Sequence, residues 1–207
     1  MDRSCSILGV AGGSGSGKTA MARALLEAVG GDRIVFLPLD NYYLDILWQD
    51  KGEIRDYNFD HPSSLDWELL AHHLNELRHG RPVEMPLYDF SEHRRRPETE
   101  RCEPGPVILT EGILLLAEPR IRELLDLKIY VDTDADVRLA RRIRRDLEER
   151  GRALDDVLRQ YMESVRPMHL EFVESSKRWA DIIVPEGGEN RVALEMVIAR
   201  VERLCEE

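Results

Sequence analysis

Gly12-Gly13-Ser14-Gly15-Ser16-Gly17-Lys18-Thr19 decides the fold. The octet has the form GxxxxGK[ST]. It follows an apolar run at 6–10 and opens a helical pattern at 18–29, the strand, loop and helix order that gives this motif its meaning. Glycines let successive backbone N–H groups turn inward around phosphates, and the helix start adds its positive dipole end. Lys18 then reaches the β- and γ-phosphates, and Thr19 ligates Mg²⁺. A mere Gly/Ser turn ahead of a helix could share the composition but would not require this order.

Outward from the loop, four more β-branched apolar runs lie at 33–37, 107–110, 127–131 and 181–184. Helical patterns at 65–79 and 134–149 stop at Gly80 and Gly151, as helices commonly do. Alternating strands and helices imply a parallel sheet covered on both faces. The expected fold class is therefore α/β: a three-layer P-loop NTPase-type fold with a central five-stranded parallel sheet. The interval 52–105 is too long for a plain crossover. With one helix and Pro-punctuated extended pieces, it reads as a small substrate-binding insertion. Residues 134–166 read as an arginine-rich helical lid region of the single domain, 1–207. In open parallel sheets ligands bind beyond the carboxyl ends of the strands, so the residues just after each run are the ones to examine.

With 207 residues, 43% hydrophobic, the chain can bury one full core. A net charge of -11 argues against nucleic-acid polymers as partners. No apolar run suits a membrane span, and Met1 to Ser6 lacks the pattern of a leader. Cys5, Cys102 and Cys205 form neither a CxxC pair nor an even disulfide set, which fits a reducing, cytoplasmic location.

Asp40 follows the second strand and Glu111 the third, both on the phosphate-loop side. Phosphoryl transfer needs one carboxylate to take or orient the acceptor's proton and another to hold the metal. Singly, such acids are ordinary loop residues; beside the phosphate loop, Asp40 suits the first task and Glu111, with Thr19 and with Asp40 through water, the second. Seven arginines face three acids between 138 and 152. On a helix, Val137, Ala140, Ile143 and Leu147 form an apolar stripe expected to pack inward, with Arg138, Arg142 and Arg145 on the opposite, outer face. Arginine forks match phosphate oxygens. A solvated helix with Arg144–Glu148 and Arg145–Glu149 pairs is the plainer alternative. Gly151, between Arg150 and Arg152, suits a hinge.

Asp40-Asn41-Tyr42-Tyr43, Phe59-Asp60-His61-Pro62 and Tyr88-Asp89-Phe90-Ser91-Glu92-His93 complete an ordered set with the phosphate loop, Glu111-Gly112-Ile113, the arginine run and Gln160-Tyr161. From about Ile7 to Ala193 the chain resembles the uridine/cytidine kinase family. The resemblance implies ATP with Mg²⁺ as phosphoryl donor and uridine and cytidine as substrates. It implies Asp40 as catalytic base beside Lys18, and Asp60 gripping the ribose 2′- and 3′-hydroxyls. Tyr88 and His93 would recognise the base, with Tyr43, Phe59 and Phe90 as aromatic pocket residues. Arg142, Arg152 and Gln160 would contact the nucleoside, Arg145 and Arg150 the phosphates, and Glu189, after Gly187-Gly188, would stand beside the ATP base. A homo-oligomer, a tetramer, with feedback by CTP or UTP is also implied. Segment 44–56, including Trp48, matches the family least and is assigned no contact.

Plainer readings stand beside these. Phe59, Tyr88 and Phe90 could fill the insertion's own core, and His61 before Pro62 reads as a turn residue. His72 and His73, about 100° apart on a helix, cannot share one metal. Rival functions are a kinase resembling phosphoribulokinase or pantothenate kinase, and a nucleotide-binding switch without transfer. A switch needs no second-substrate pocket, so Asp60, His93 and the arginines would have no task in it.

Overall fold

The structure, a computed structural model, describes residues 5–45, 57–90 and 92–206. Segment 44–56 lies outside the described residues from position 46 on, as do Ser91 and the start of the insertion at 52–56. In chain order the main elements are β1 (Ser6–Gly12), α1 (Lys18–Val29), β2 (Ile34–Pro38), α2 (Trp67–Arg78), β3 (Val83–Asp89) and β4 (Arg94–Cys102). They continue with β5 (Val107–Gly112), α3 (Pro119–Leu124), β6 (Leu127–Asp132), α4 (Ala135–Glu148), α5 (Leu154–Gln160), β7 (Ile182–Pro185) and a C-terminal helix, Arg191–Leu204.

The central sheet has the order β2-β5-β1-β6-β7, with every pair parallel. Its five strands end within two residues of the apolar runs read from the sequence. β1 shows why both faces need cover. Ile7 and Ala11 enter one core with α2, α3 and the insertion, while Leu8 and Val10 enter another with α1 and the C-terminal helix. A strand buried on both sides reads as a continuous apolar run rather than an alternation.

Local chemistry sets the helix ends. α1 buries Met21, Ala22, Leu25 and Val29 and stops at Gly30, whose N–H donates to the Leu26 carbonyl at 3.1 Å. α2 starts where the Asp66 side chain accepts from Leu69 N–H at 3.0 Å, so the helix is shorter at its start than the 65–79 pattern. It buries Leu70, Leu74 and Leu77, each contributing roughly 1.5–3 kcal/mol. No helix among the described residues is long and apolar enough to cross a membrane.

In the insertion, the extended pieces expected from sequence pair as an antiparallel hairpin, Val83 opposite Cys102 and Asp89 opposite Arg94, with a register shift between Pro86 and Tyr88. Pro86 has no N–H to give a ladder, which suits an irregular position. Arg95 fastens the hairpin to the end of β2. Its guanidinium donates to the Tyr43 and Tyr42 carbonyls at 3.0 and 3.3 Å and to Asp66 Oδ2 at 3.1 Å.

α4 corrects one expectation. Val137 and Leu147 are both 39% exposed and Ala140 is also exposed, whereas Arg138, Arg142 and Asp146 are the buried positions. The helix thus packs through its charged face. Buried polar partners contributed by distant segments make this tolerable, because each guanidinium that leaves water finds an acceptor.

Candidate active site

Every strand of the sheet delivers its carboxyl end to one side, and the phosphate loop lies at the middle of it. Gly17 begins α1 in the left-handed conformation, φ +96°, with no side-chain cap and no acid in the first turn. The first N–H groups of α1 are therefore left for an anion. Ser16 N–H donates to the Gly13 carbonyl at 3.0 Å, tightening the loop. Gly15 has φ +79°, and a side chain there would collide with the Arg138 carbonyl. The start of α4 thus packs directly on the loop, and Thr133 Oγ1 donates to the Ser16 carbonyl at 3.0 Å from the same direction.

Glu111 closes the cradle from β5. Thr19 Oγ1 donates to Glu111 Oε1 at 3.0 Å, and Lys18 Nζ stands 3.9 Å from Oε2. Oε2 is buried and accepts no hydrogen bond. Burial pushes the Glu111 carboxyl above the usual range; Lys18 opposes the rise and Asp40 adds to it. Asp40 sits in a 3₁₀ turn, Leu39–Tyr42, directly after β2. That turn fits against the end of β5 because position 112 is glycine: any side chain there would overlap Leu39.

Asp60 arrives from the insertion and is buried. Burial raises its carboxyl pKa, against the pull of Arg142, with Asp40 raising it further and Lys18 and Arg145 lowering it. Lys18, Asp40, Asp60 and Glu111 therefore share one electrostatic field. Thr19 and the orphaned Glu111 oxygen form an oxygen-only set of the kind Mg²⁺ takes with retained waters and phosphate oxygens. Among the described residues, no group of three or more His, Cys, Asp or Glu is placed to chelate a metal on its own.

Beside Asp60 the aromatic residues of three segments meet. Tyr43 packs on Phe59 and Tyr88 with ring centres 5.6 and 5.4 Å apart. His93 lies over Phe59 at 5.0 Å with φ +51°, a conformation uncommon outside glycine. Burial and the neighbouring Arg152 hold its imidazole below the usual histidine range, so it is neutral at pH 7. The Tyr88 hydroxyl is buried without a partner. Phe90 touches Tyr88 at 5.3 Å but is 48% exposed, on the rim rather than inside. His61 is a turn residue, its Nδ1 accepting from Ser63 N–H at 3.1 Å.

The arginines are gathered by segments far apart in the chain. Arg142 donates Nη1 to Ser14 Oγ of the phosphate loop at 2.9 Å and Nη2 to Gln160 Oε1 at 2.8 Å. Arg152 donates to the same Gln160 oxygen at 2.7 Å. Arg145 turns to Asp146, donating Nε and Nη2 at 3.0 and 2.9 Å. Glu189 lies elsewhere: exposed, it accepts from Arg141 Nη2 at 2.6 Å at the mouth of a cavity of about 360 Å³ lined by Thr133, Val137, Arg141 and Pro185. A larger cavity, about 410 Å³ between β2 and the hairpin, includes Phe36, Asn41, Met85 and Arg101 and none of the predicted site residues.

Two contacts of the site, the burial of Arg138 against His169 and the gathering of arginines on Asp146, had no counterpart in the sequence reading. Arg138, expected on the outer face, is buried; it donates Nε to the Thr133 carbonyl at 3.0 Å, and its Nη2 lies 3.0 Å from His169 Nε2. Burial and Arg138 depress His169 to about 4. Asp146, within the arginine run, is the acid on which four arginines converge. Its only trace in sequence is an acid four residues after Arg142.

The sequence pattern described as the Phosphoribulokinase / Uridine kinase family matches residues 7–193. A uridine kinase of Chloroflexus aurantiacus is 53% identical over 196 residues, 95% of this chain and 94% of that protein. A uridine kinase of Brevibacillus brevis is 50% identical over 201 residues, 97% and 94% of the two chains. Among solved structures, phosphoribulokinase from Rhodobacter spheroides superposes with a TM-score of 0.64 at 16% identity, over 89% of this chain and 71% of that one, a likeness of fold.

Proposed function

The chain belongs to the Phosphoribulokinase / Uridine kinase family, and from that premise we propose that it transfers the γ-phosphoryl group of ATP to the 5′-hydroxyl of uridine and of cytidine, giving UMP and CMP. One observation carries the reading. Buried Asp60 shares its field with Tyr43 of the aromatic group, which packs on Phe59 and Tyr88, and with Lys18 and Asp40 of the charged group that also acts on Glu111. A nucleoside has that polarity: a flat base at one end, vicinal hydroxyls in the middle and a primary alcohol at the other.

In this reading the phosphates of ATP rest on the N–H groups of the loop and on Lys18, with the donor base in the cavity beside Arg141 and Glu189. Asp60 accepts hydrogen bonds from both ribose hydroxyls. A 2′-deoxy sugar would leave that buried acceptor under-satisfied, so ribonucleosides are preferred. Neutral His93 offers either an N–H to the uracil O4 or a bare nitrogen to the cytosine amino group. Asp40 takes the proton of the 5′-hydroxyl as the new O–P bond forms and the bond from the γ-phosphorus to its bridging oxygen breaks, releasing ADP. Arg145 and Arg150 stabilise the charge spread over the transferring group. Mg²⁺, when bound, would be held by Thr19 and Glu111, with Asp40 assisting through water, and would neutralise phosphate charge.

Steady-state ADP release tests the reading. Uridine and cytidine should stimulate it, and adenosine, guanosine and ribulose 5-phosphate should not. Stimulation by ribulose 5-phosphate alone, or by no acceptor, would refute it. The same reading includes a homo-tetramer with feedback by CTP and UTP, tested by sedimentation and by inhibition kinetics.

A further inference from the structure

One acid of the lid has surroundings that are unusual for a carboxylate. The Asp146 side chain is 0% exposed. Ionised carboxylates do not stay charged away from water unless they are paired. Here four guanidiniums supply the pairing. Arg145 donates two hydrogen bonds to Oδ1, at 3.0 and 2.9 Å. Arg152 Nη1 donates to Oδ2 at 3.3 Å, while Arg142 Nε and Arg150 Nη1 stand 3.7 and 3.6 Å from the carboxylate. Burial alone would push this carboxyl up; Arg145 and Arg142 overcome it and hold the group below the usual range. The backbone repeats the link, with Arg152 N–H donating to the Asp146 carbonyl at 3.0 Å around Gly151.

The four guanidiniums are not equivalent. Arg142 is 7% exposed and anchored to the phosphate loop and Gln160, whereas Arg145 and Arg150 are 31% and 44% exposed. Asp146 therefore joins a fixed arginine on the loop to two that can reach outward. Arg142 also feels Asp60 and Arg150 also feels Asp40, so four positive groups meet three negative ones and keep an excess that an arriving phosphoryl group can use. Remove the negative group at Asp146, and four like charges on long side chains would spread apart.

We infer that Asp146 is the positioning residue of the arginine lid: its buried carboxylate holds Arg142, Arg145, Arg150 and Arg152 as one preset array, so that the array need not be assembled during phosphoryl transfer. The inference deepens the kinase reading above and rests on it. Preset donors cost no reorganisation at the moment of reaction, and this is where their catalytic value lies.

Kinetics with MgATP and uridine, together with thermal melting of each purified full-length variant, test it. Asp146→Asn keeps the shape and removes the charge. It should lower kcat by roughly 10- to 100-fold, the scale of a small misplacement of catalytic groups, while the KM for uridine changes far less, because Arg142 and Arg152, the two expected to contact the nucleoside, keep their bonds to Ser14 and Gln160. Asp146→Ala should lose more activity, and sodium formate, a carboxylate small enough for the vacated space, should restore part of kcat where sodium chloride at equal ionic strength does not. Wild-type kcat in Asp146→Asn overturns the inference. So does a loss of activity that follows the loss of melting temperature and does not respond to formate, since Asp146 would then be structural only. Should Asp146→Ala fail to fold, the split between kcat and KM in Asp146→Asn decides alone. A wild type that transfers nothing to uridine refutes the kinase reading and the inference with it; an active wild type with an indifferent Asp146→Asn refutes the inference alone.

Discussion

Asp40 and Asp60 are the same residue type with opposite surroundings, and their variants should differ accordingly. Asp40 is part-exposed beside the phosphate loop; Asp60 is buried among aromatic rings and arginines. Asp40→Asn should cut kcat by roughly 10²-fold or more, the scale of a lost general base, with uridine affinity nearly unchanged. Unaltered turnover would remove Asp40 from that role. The Asp60 carboxyl is held above its ordinary value, chiefly by burial, so on acidification it takes up a proton sooner than a free aspartate does. In the proposed role, the ionised form is the one that would accept the ribose hydroxyls. The KM for uridine should therefore rise as pH falls, and Asp60→Asn should have a high KM with that acid rise gone; an unchanged pH profile in the variant would contradict the role. A raised folded-state pKa also means that the ionised group costs the fold stability, a cost relieved as pH falls through that pKa. Asp60→Asn should accordingly melt no lower than the wild type at pH 7. Both acids could be found in sequence by position, one after a strand and one in a motif, but their different burial could not, because it depends on which rings and arginines surround them.

At the scale of elements, the strands and α1 were legible because a run of apolar β-branched residues or a 3.6-residue period is a local property. The hairpin was only half legible: an extended piece at 81–88 could be seen, but its pairing with Arg94–Cys102 could not, nor that Arg95 would fasten the pair to the carbonyls of Tyr42 and Tyr43, about fifty residues earlier in the chain. α4 was read with the right ends and the wrong face inward. Periodicity separates the two faces of a helix; it does not say which face finds partners. Melting curves check the observed orientation. Val137→Gln and Leu147→Gln, on the exposed side, should each change stability by less than about 0.5 kcal/mol, as surface substitutions do. A loss of about 2 kcal/mol or more from either would place that face in a core.

Across the whole molecule, binding at the carboxyl ends of the strands should be felt as global stability, since β1, β2, β5 and the insertion all contribute to the site. Uridine at a hundred times its Kd should add about 2.7 kcal/mol to the unfolding free energy, which for a chain of this length is roughly 5–10 °C in Tm. Asp60→Ala should lose the uridine shift and keep the MgATP shift, whereas loss of both would mean that the substitution disturbs the phosphate loop as well. The sequence by itself determined the phosphate loop, the five strands and their α/β order, because each rests on the spacing of neighbouring residues. It also determined the family, because ordered motifs survive without coordinates. Only the tertiary structure decided that α4 turns its arginines inward and that Asp146 lies among four of them. The physical reason is that a guanidinium can leave water only where acceptors await it, and for Arg142 those acceptors, Ser14 and Gln160, come from segments 128 and 18 residues away along the chain.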